Sequence, residues 1–217
     1  MFSSPTWKIT LDIPWGSVTM KFYKILSEDE NHHGLQFHTG RVDDPNEFQA
    51  EGSCVPGGIY FAPVTSILAF VGYGPWLREV TVPEDAQMVK DPGSDSEKYR
   101  ASSVILGERE RWEDVFQRLI DEGADIHVQE NQALRYAAEN DLRAVVTILL
   151  IYGADPSACD SYALRWAAAN GYVEIVKMLL DQGANVHARD DEALRWAAAQ
   201  GHTETVNVLK SYMENNS

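Results

Sequence analysis

The pattern of hydrophobic and polar positions changes near residue 107 of this chain. Before that point, short apolar runs are separated by turn residues, which is typical of β-strands. The candidate strands are TWKITLDI, VTMKFYKIL, LQFHTG, GGIYFAP, LREVTV and SSVILG, and TSILAFV is a candidate short helix. After that point, apolar residues recur at helical spacing. We therefore predict a mixed α+β domain over residues 1–106 and an all-α domain over residues 107–217.

The helical part repeats itself with a period of 30 residues. An Ala-Leu-Arg string followed by an aromatic residue and alanines occurs three times, and Gly123, Gly153 and Gly183 keep the same step. Such a period indicates stacked supersecondary units. Each unit has an alanine-rich first helix and an amphipathic second helix, for example VEIVKMLLDQG. The sequence predicts about three full short units, with partial units that cap both ends of the array.

The repeating unit resembles the ankyrin repeat. That family places Leu and Ala-Ala in the first helix, Gly after it, apolar residues in the second helix and Gly-Ala-Asn at its end. The matching residues of the second unit are Leu164, Ala167, Ala168, Gly171, Ile175, Val176, Leu179, Leu180, Gly183, Ala184 and Asn185. The family's opening Thr-Pro and His are absent, and the unit is about three residues shorter than the usual 33. The resemblance implies an ankyrin solenoid whose concave face binds a protein, with short inter-repeat turns that contribute little.

Two rows of side chains recur in the first helices, and we predict them as the partner-binding site. The aromatic row is Tyr136, Trp166 and Trp196. The basic row is Arg135, Arg165 and Arg195, at the position of the ankyrin His. In the ankyrin pattern these positions lie toward the concave side, and aromatic residues are frequent hot spots of interfaces. A structural interpretation of both rows stays open: the rings pack on the next repeat, and the arginines pair with nearby acids. Those acids are Glu139, Asp160, Asp190, Asp191 and Glu192.

The first domain also has a family resemblance. The segments KFYKILSEDENHHGLQFHTGR, GSCVPGGIYFAP, GPWLREVTVPEDAQMV and KYRASSVILGER resemble the amino-terminal region of ankyrin-repeat proteins from giant DNA viruses of the mimivirus type. In that family such a region precedes a run of short repeats, so the resemblance covers nearly the whole chain. It implies an adaptor or inhibitor that acts on host or defence proteins, and it implies no known chemistry.

One stretch of the first domain resembles a cofactor pocket instead. In poly-ADP-ribose polymerase-like transferases, a His-Gly-Ser/Thr strand and a Gly-Ile-Tyr-Phe-Ala strand, followed by Ser and Tyr, line the NAD pocket. The corresponding residues here are His38, Tyr60, Ser66 and Tyr73. A glutamate should complete such a site by stabilising the ribosyl transition state, but Glu79, Glu84 and Glu108 stand in no matching motif. We therefore expect a protein without enzymatic activity or cofactor, and keep an ADP-ribosyltransferase-like, NAD-binding domain as the alternative hypothesis.

The charge balance narrows the choice of partner. The chain has 18 basic and 33 acidic residues and a formal net charge of −15, and both halves are acidic. Binding to phosphates requires Lys and Arg that displace counterions, so we expect no direct binding to nucleic acid. A protein partner with a basic surface suits the charge better. A further alternative is an acidic protein that imitates nucleic acid.

Apolar runs, cysteines and histidines in the sequence indicate the cellular location and whether a metal is bound. No apolar run approaches the roughly 18 residues of a membrane span, and MFSSPTWKITLDIPWG has no secretory pattern. Cys54 and Cys159 are far apart, which suits a reducing compartment. We therefore expect a cytoplasmic protein, in the cytoplasm of a host cell if it is viral. The string HHGLQFH lacks the spacing of a tetrahedral metal site, and we expect no metal.

Overall fold

The computed structural model describes residues 10–13, 16–32, 34–52, 57–93 and 95–216. His33 of the HHGLQFH string and Cys54 lie outside these described residues. The chain forms two compact units, Met1–Asp125 and Ile126–Ser217. The first unit is rich in strands and the second is helical, as the sequence predicts.

The first unit is built around an antiparallel sheet. Its described strands are β1 (Thr10–Ile13), β2 (Gly16–Thr19), β3 (Phe22–Leu26), β4 (Asn31–His32), β5 (Leu35–Gln36), β6 (Gly40–Asp43), β7 (Ile59–Pro63), β8 (Trp76–Thr81), β9 (Met88–Lys90), β10 (Tyr99–Ala101), β11 (Ser103–Leu106) and β12 (Glu110–Arg111). The main sheet has the order β6-β11-β8-β3-β7-β10-β9, and β12 also pairs with β8. The pairs β1–β2 and β4–β5 form separate antiparallel ribbons.

The core of the first unit lies against this sheet. The central strands β3 and β8 pair in a register that places Phe22 opposite Val80 and Leu26 opposite Trp76. The buried residues that pack together are Leu26, Phe37, Val42, Ile59, Phe61, Val80, Tyr99, Ala101, Val104 and Leu106. The candidate helix TSILAFV is present as a 3₁₀ helix, Val64–Tyr73. The predicted α+β class of the first domain is confirmed.

Residues 107–125 belong to the first unit by their contacts, although we place the sequence boundary after residue 106. Strand β12 pairs with β8, and Trp112 is fully buried. Helix α1 (Phe116–Asp121) follows, and the amide of Asp125 donates a hydrogen bond to the Thr65 carbonyl at 3.1 Å. The repeat pattern and the compact units therefore divide the chain at different residues. The pattern marks where helical spacing begins, whereas the contacts follow strand pairing.

The described residues of the second unit, 126–216, form three helix pairs. These are α2 (Val128–Glu139) with α3 (Arg143–Ile151), α4 (Ala158–Ala169) with α5 (Val173–Asp181), and α6 (Ala188–Ala199) with α7 (Thr203–Asn215). The first helices contact each other more widely than the second helices do. Buried alanines such as Ala133, Ala163 and Ala193 allow this close approach. The array therefore curves toward α2, α4 and α6, whose open side is the concave face.

Each first helix begins with one left-handed turn of three residues. We call residues 129–131, 159–161 and 189–191 the left-handed turns; their φ angles lie between 47° and 59°, and none of them is glycine. A left-handed residue other than glycine costs about 1 to 2 kcal/mol relative to the right-handed helix. The same geometry occurs in all three repeats, so specific contacts must offset this cost. The predicted short inter-repeat turn is this left-handed turn.

The last residue of a left-handed turn links its repeat to the next one. The Asn131 side chain oxygen accepts a hydrogen bond from the amide of Asp155 at 3.1 Å. The Ser161 hydroxyl oxygen accepts one from the amide of Asn185 at 2.8 Å. Asn131 and Ser161 are buried, so these bonds are sheltered from water. The turns therefore fix the step from one repeat to the next.

Candidate functional site

The basic row of the concave face is bound to the left-handed turns. The Nε of Arg165 donates to the carbonyl of Asp160 at 2.9 Å, and its Nη2 donates to the carbonyl of Cys159 at 3.1 Å. Arg195 binds the two equivalent carbonyls of its own turn at 3.0 and 3.1 Å. The Nη2 of Arg135 donates to the carbonyl of Gln129, the equivalent of Cys159, at 2.8 Å. These carbonyls need donors from outside the turn, and the guanidinium fork supplies them.

Arg165 has an additional partner in the next repeat. Its Nη1 lies 2.5 Å from a carboxylate oxygen of Glu192, and the side chains of both residues are largely buried. Glu192 is one of the acids that the sequence placed near the basic row. Arg165 therefore binds both the left-handed turn of its own repeat and Glu192 of the next repeat. Its part in the face is to hold the first helices together.

Two rings of the aromatic row, Trp166 and Trp196, form a contiguous group with Tyr162, a ring that the sequence did not predict for this site. The rings of Trp166 and Trp196 meet edge to face at 5.5 Å between centroids, and Tyr162 lies 5.8 Å from Trp166. Tyr162 precedes Trp166 by four residues, so the two share one side of α4. The spacing of four residues between Tyr162 and Trp166 is the feature of the sequence that could have placed Tyr162 in the site. It was missed because the equivalent residues, Gln132 and Glu192, are not aromatic.

Arginines and rings alternate along this face. The Arg135 guanidinium lies 5.4 Å from the centre of the Tyr162 ring. The Arg165 guanidinium lies 5.6 Å from the same ring and 5.9 Å from that of Trp196. These distances are within the range of cation–π attraction. Burial raises the pKa of Tyr162, and the nearby negative charge of Glu139 raises it further. Tyr162 therefore stays neutral at physiological pH.

The accessible part of this surface is the candidate site. We call it the aromatic–arginine face; its residues are Arg135, Tyr136, Tyr162, Arg165, Trp166, Arg195 and Trp196. The four rings are partly exposed and Arg195 is exposed, whereas Arg165 is only 4% exposed. The structure thus brings all six predicted residues to one side of α2, α4 and α6. Within this face, the four rings, Arg135 and Arg195 have solvent-accessible surface.

The residues of the alternative cofactor site are not gathered in one place. His38 precedes β6 at one edge of the sheet, and three strands separate β6 from β7, which carries Tyr60. Four strand spacings amount to about 19 Å. The buried hydroxyl of Ser66 donates to the carbonyl of Glu97 at 2.6 Å, and Tyr73 is 69% exposed beside Phe70. The described part of the chain therefore assembles no pocket from these four side chains.

Within residues 10–13, 16–32, 34–52, 57–93 and 95–216, no three or more His, Cys, Asp or Glu residues are grouped so that they could hold a metal ion. In the same part of the chain, no helix is both long and apolar enough to cross a membrane.

Comparison with known proteins identifies the repeats. A family model described as "Ankyrin repeats (3 copies)" matches residues 134–217. This range contains most of the second unit, including the first helices that form the aromatic–arginine face.

Proteins of Acanthamoeba polyphaga mimivirus are similar to a larger part of the chain. R229 and R868, both named "Putative ankyrin repeat protein", are 42% identical over 139 residues and 32% identical over 136 residues. The matches cover 58% and 59% of this chain, but only 45% and 66% of those proteins. "Uncharacterized protein R869" is 33% identical over 133 residues, which is 59% of this chain and 96% of that protein.

The similarity extends beyond the helical repeats, because 59% of the chain is more than the second unit contains. Residues of the first unit therefore share in it, as the resemblance of the amino-terminal segments implies. Together with the three ankyrin units that the structure displays, this shows that the chain belongs to the ankyrin-repeat proteins of the mimivirus type.

Proposed function

We propose that this chain is a protein-interaction module, an adaptor or inhibitor without enzymatic activity, and that it binds another protein through the aromatic–arginine face. The observation that carries the proposal is the partly exposed aromatic group on the concave side of three ankyrin repeats. Stacked repeats offer such extended concave surfaces for binding. Partly exposed Tyr and Trp rings are the side chains that most often supply binding energy there.

The geometry favours a rigid binding surface. Arg165 and Glu192 join two repeats, and the left-handed turns hold the arginines in place through backbone carbonyls. Rings that are fixed before binding lose little conformational entropy when a partner docks. Trp196 and Arg195 lie on α6, the first helix of the third repeat. Of the three pairs of neighbouring arginine and aromatic residues, this pair is the most exposed to solvent.

The partner that this proposal predicts is a protein with a basic surface. The net charge of −15 attracts such a surface and repels nucleic acid. The relatives are viral proteins, and we therefore place the interaction in the cytoplasm of a host cell, with a host or defence protein as partner.

Affinity capture tests this proposal. The full chain, immobilised, is incubated with a lysate of Acanthamoeba cells, the organism in the name of the relatives' virus, and the retained proteins are identified. We expect a specific partner that the Trp196→Ala variant retains at least about tenfold less well, because a ring at the centre of an interface typically contributes 2 kcal/mol or more.

The matched control is Tyr152→Ala, which removes a ring that is 47% exposed at the end of α3, outside the aromatic–arginine face. We expect the control to retain the partner, and both variants to show the wild-type circular dichroism spectrum. Equal retention of the partner by Trp196→Ala and wild type would refute the assignment of the face.

A further inference from the structure

A groove on the opposite side of the second unit has the features of a separate docking site. It lies between α5 and α7 and encloses about 370 Å³. The lining residues are Lys177, Leu180, Asp181, Glu204, Asn207, Val208, Ser211, Tyr212 and Asn215. We call it the α5–α7 groove. It lies between second helices, so it shares no residue with the aromatic–arginine face.

A hydrogen bond joins the two helices at the α5–α7 groove. The Tyr212 hydroxyl donates to the carbonyl of Leu180 at 2.9 Å, and both residues line the groove. Val208 and Tyr212, one turn apart on α7, are both partly exposed and supply apolar surface.

The repeat period provides a built-in comparison. A second groove of about 190 Å³ lies between α3 and α5, and Thr147, Leu150 and Ile151 line it 30 residues before Lys177, Leu180 and Asp181. At the last of these positions Ile151 is 76% exposed, and Asp181 lines both grooves. The α5–α7 groove has a second carboxylate, that of Glu204, which the α3–α5 groove lacks.

The charge of the α5–α7 groove is negative. Lys177 forms a salt bridge with Glu174 at 2.9 Å, and this contact raises the pKa of Lys177, so the lining has one cation and the two carboxylates of Asp181 and Glu204. Among the described residues, Asp181 and Glu204 form no salt bridge within 4.0 Å. A lining that has two carboxylates and apolar side chains complements a ligand that is basic and apolar on one side.

The length of the groove fits a short helix. On α7 the lining residues extend from Glu204 to Asn215, which corresponds to about 16 Å, or three helical turns. Their spacing of three and four residues is that of one helix face. An amphipathic peptide helix that lies in such a groove presents anchors at the same spacing.

We propose that the α5–α7 groove binds a basic amphipathic helix of a protein partner, with apolar side chains over Val208 and Tyr212 and Lys or Arg side chains toward Asp181 and Glu204. This site is independent of the proposed function of the concave face. It gives the second unit two faces that engage different segments, one on the first helices and one on the second helices.

The test measures the binding of a defined peptide to the full chain. The probe is a fluorescent 18-residue peptide of leucine and lysine whose leucines fall on one helical face, titrated at low ionic strength and followed by fluorescence anisotropy. We expect saturable binding that the Asp181→Asn/Glu204→Gln double variant weakens about tenfold, because two carboxylate contacts are lost. Amide NMR shifts should change at Val208, Ser211 and Tyr212.

Two controls separate the groove from general attraction between opposite charges. The Glu139→Gln/Glu214→Gln double variant removes the same amount of charge elsewhere and should bind as wild type does. A peptide of the same composition with scrambled leucine positions should bind at least about tenfold more weakly. If both double variants weaken binding equally, or if the scrambled peptide binds as well, the proposal is overturned. NMR shifts confined to α2, α4 and α6 would overturn it as well.

Discussion

The two units bury positive charge in different ways. In the second unit, Arg165 is satisfied by carbonyls five and six residues before it and by a carboxylate in the next repeat. In the first unit, Arg78 is satisfied by Glu30, 48 residues away, at 2.7 and 3.1 Å. Fully buried Arg100 donates to the Tyr60 hydroxyl at 3.1 Å, and buried Lys24 donates to the Tyr60 carbonyl at 2.8 Å.

This difference distinguishes partners that are close to the cation in sequence from partners that only the fold brings close to it. A buried cation is tolerated only if most of its donors are satisfied. Both units provide such partners, although the Nε atoms of Arg100 and Arg135 have none among the described residues. In the second unit the partners come from the same turn of chain, so one solution recurs with each repeat. In the first unit the partners are brought together by strand pairing, so each solution occurs once. The predictions below test this comparison, from the largest expected effect to the smallest.

Removal of Arg78 should have the largest effect. Arg78→Met leaves the buried Glu30 carboxylate with only its longer contact to Arg109, at 3.4 Å, and we expect a loss of about 3 kcal/mol in the free energy of unfolding. The measurement is urea unfolding of the first unit within the full chain, followed by tryptophan fluorescence. The Arg78→Met/Glu30→Gln double variant should recover part of the loss. A single variant within about 1 kcal/mol of wild type would show that the pair is not needed.

The buried amine of Lys24 predicts a dependence on pH. Desolvation lowers the pKa of Lys24 from 10.5 to about 8. Between these values the unfolded chain binds a proton that the folded chain does not, so stability rises with pH. The cost of the buried charge is fully present below pH 8 and disappears as the pH approaches 10.5, a change on the order of 3 kcal/mol.

The Lys24→Met variant isolates this contribution. It keeps every other titratable group, including Tyr23 and Tyr99, whose pKa values are raised mainly by burial. Urea unfolding at several pH values between 7.5 and 9.5 should show wild-type stability rising relative to that of the variant. A difference that stays constant over this window would contradict a buried Lys24 with a lowered pKa.

The basic row allows the same substitution to be compared in two environments. Arg165→Met removes two bonds to carbonyls and the contact with Glu192, and we expect a loss of about 2 kcal/mol. Arg195→Met removes only the two carbonyl bonds of an exposed side chain, so we expect less than about 1 kcal/mol. Thermal unfolding monitored by circular dichroism measures both. Equal losses would mean that the inter-repeat contact adds nothing.

The smallest expected effect concerns NAD. Because the Tyr60 hydroxyl already accepts a hydrogen bond from Arg100, and His38 lies across the sheet, titration with NAD should leave the NMR signals of both residues unchanged. A saturable shift at His38 and Tyr60 together would favour the NAD-binding hypothesis over the proposed binding module.

The sequence predicted those features that repeat or that extend over several residues. The strands IYFAP and SVIL, the three helix pairs and the positions of Trp166 and Trp196 follow from apolar spacing. Strands β9 and β12, of three and two residues, are too short to leave a pattern. The left-handed turns were not predicted because Gln129 and Cys159 give no local sign of a positive φ.

The sequence predicted only some of the groups that bind the arginines of the site. We expected acids to satisfy the basic row, and Arg165 does pair with Glu192. The sequence does not show that backbone carbonyls bind all three arginines, because the carbonyls are free to accept these bonds only in the left-handed turn conformation. Tyr162 was missed because its equivalents in the other repeats are polar.

The most direct test of the proposed function is hydrogen–deuterium exchange of the full chain, free and bound to the partner captured from the lysate. Binding on the concave side should slow exchange in peptides from α2, α4 and α6, most strongly around Trp166 and Trp196, and leave α3 and α5 unchanged. Protection confined to the first unit or to the second helices, with α4 and α6 exchanging as in the free chain, would contradict binding through the aromatic–arginine face.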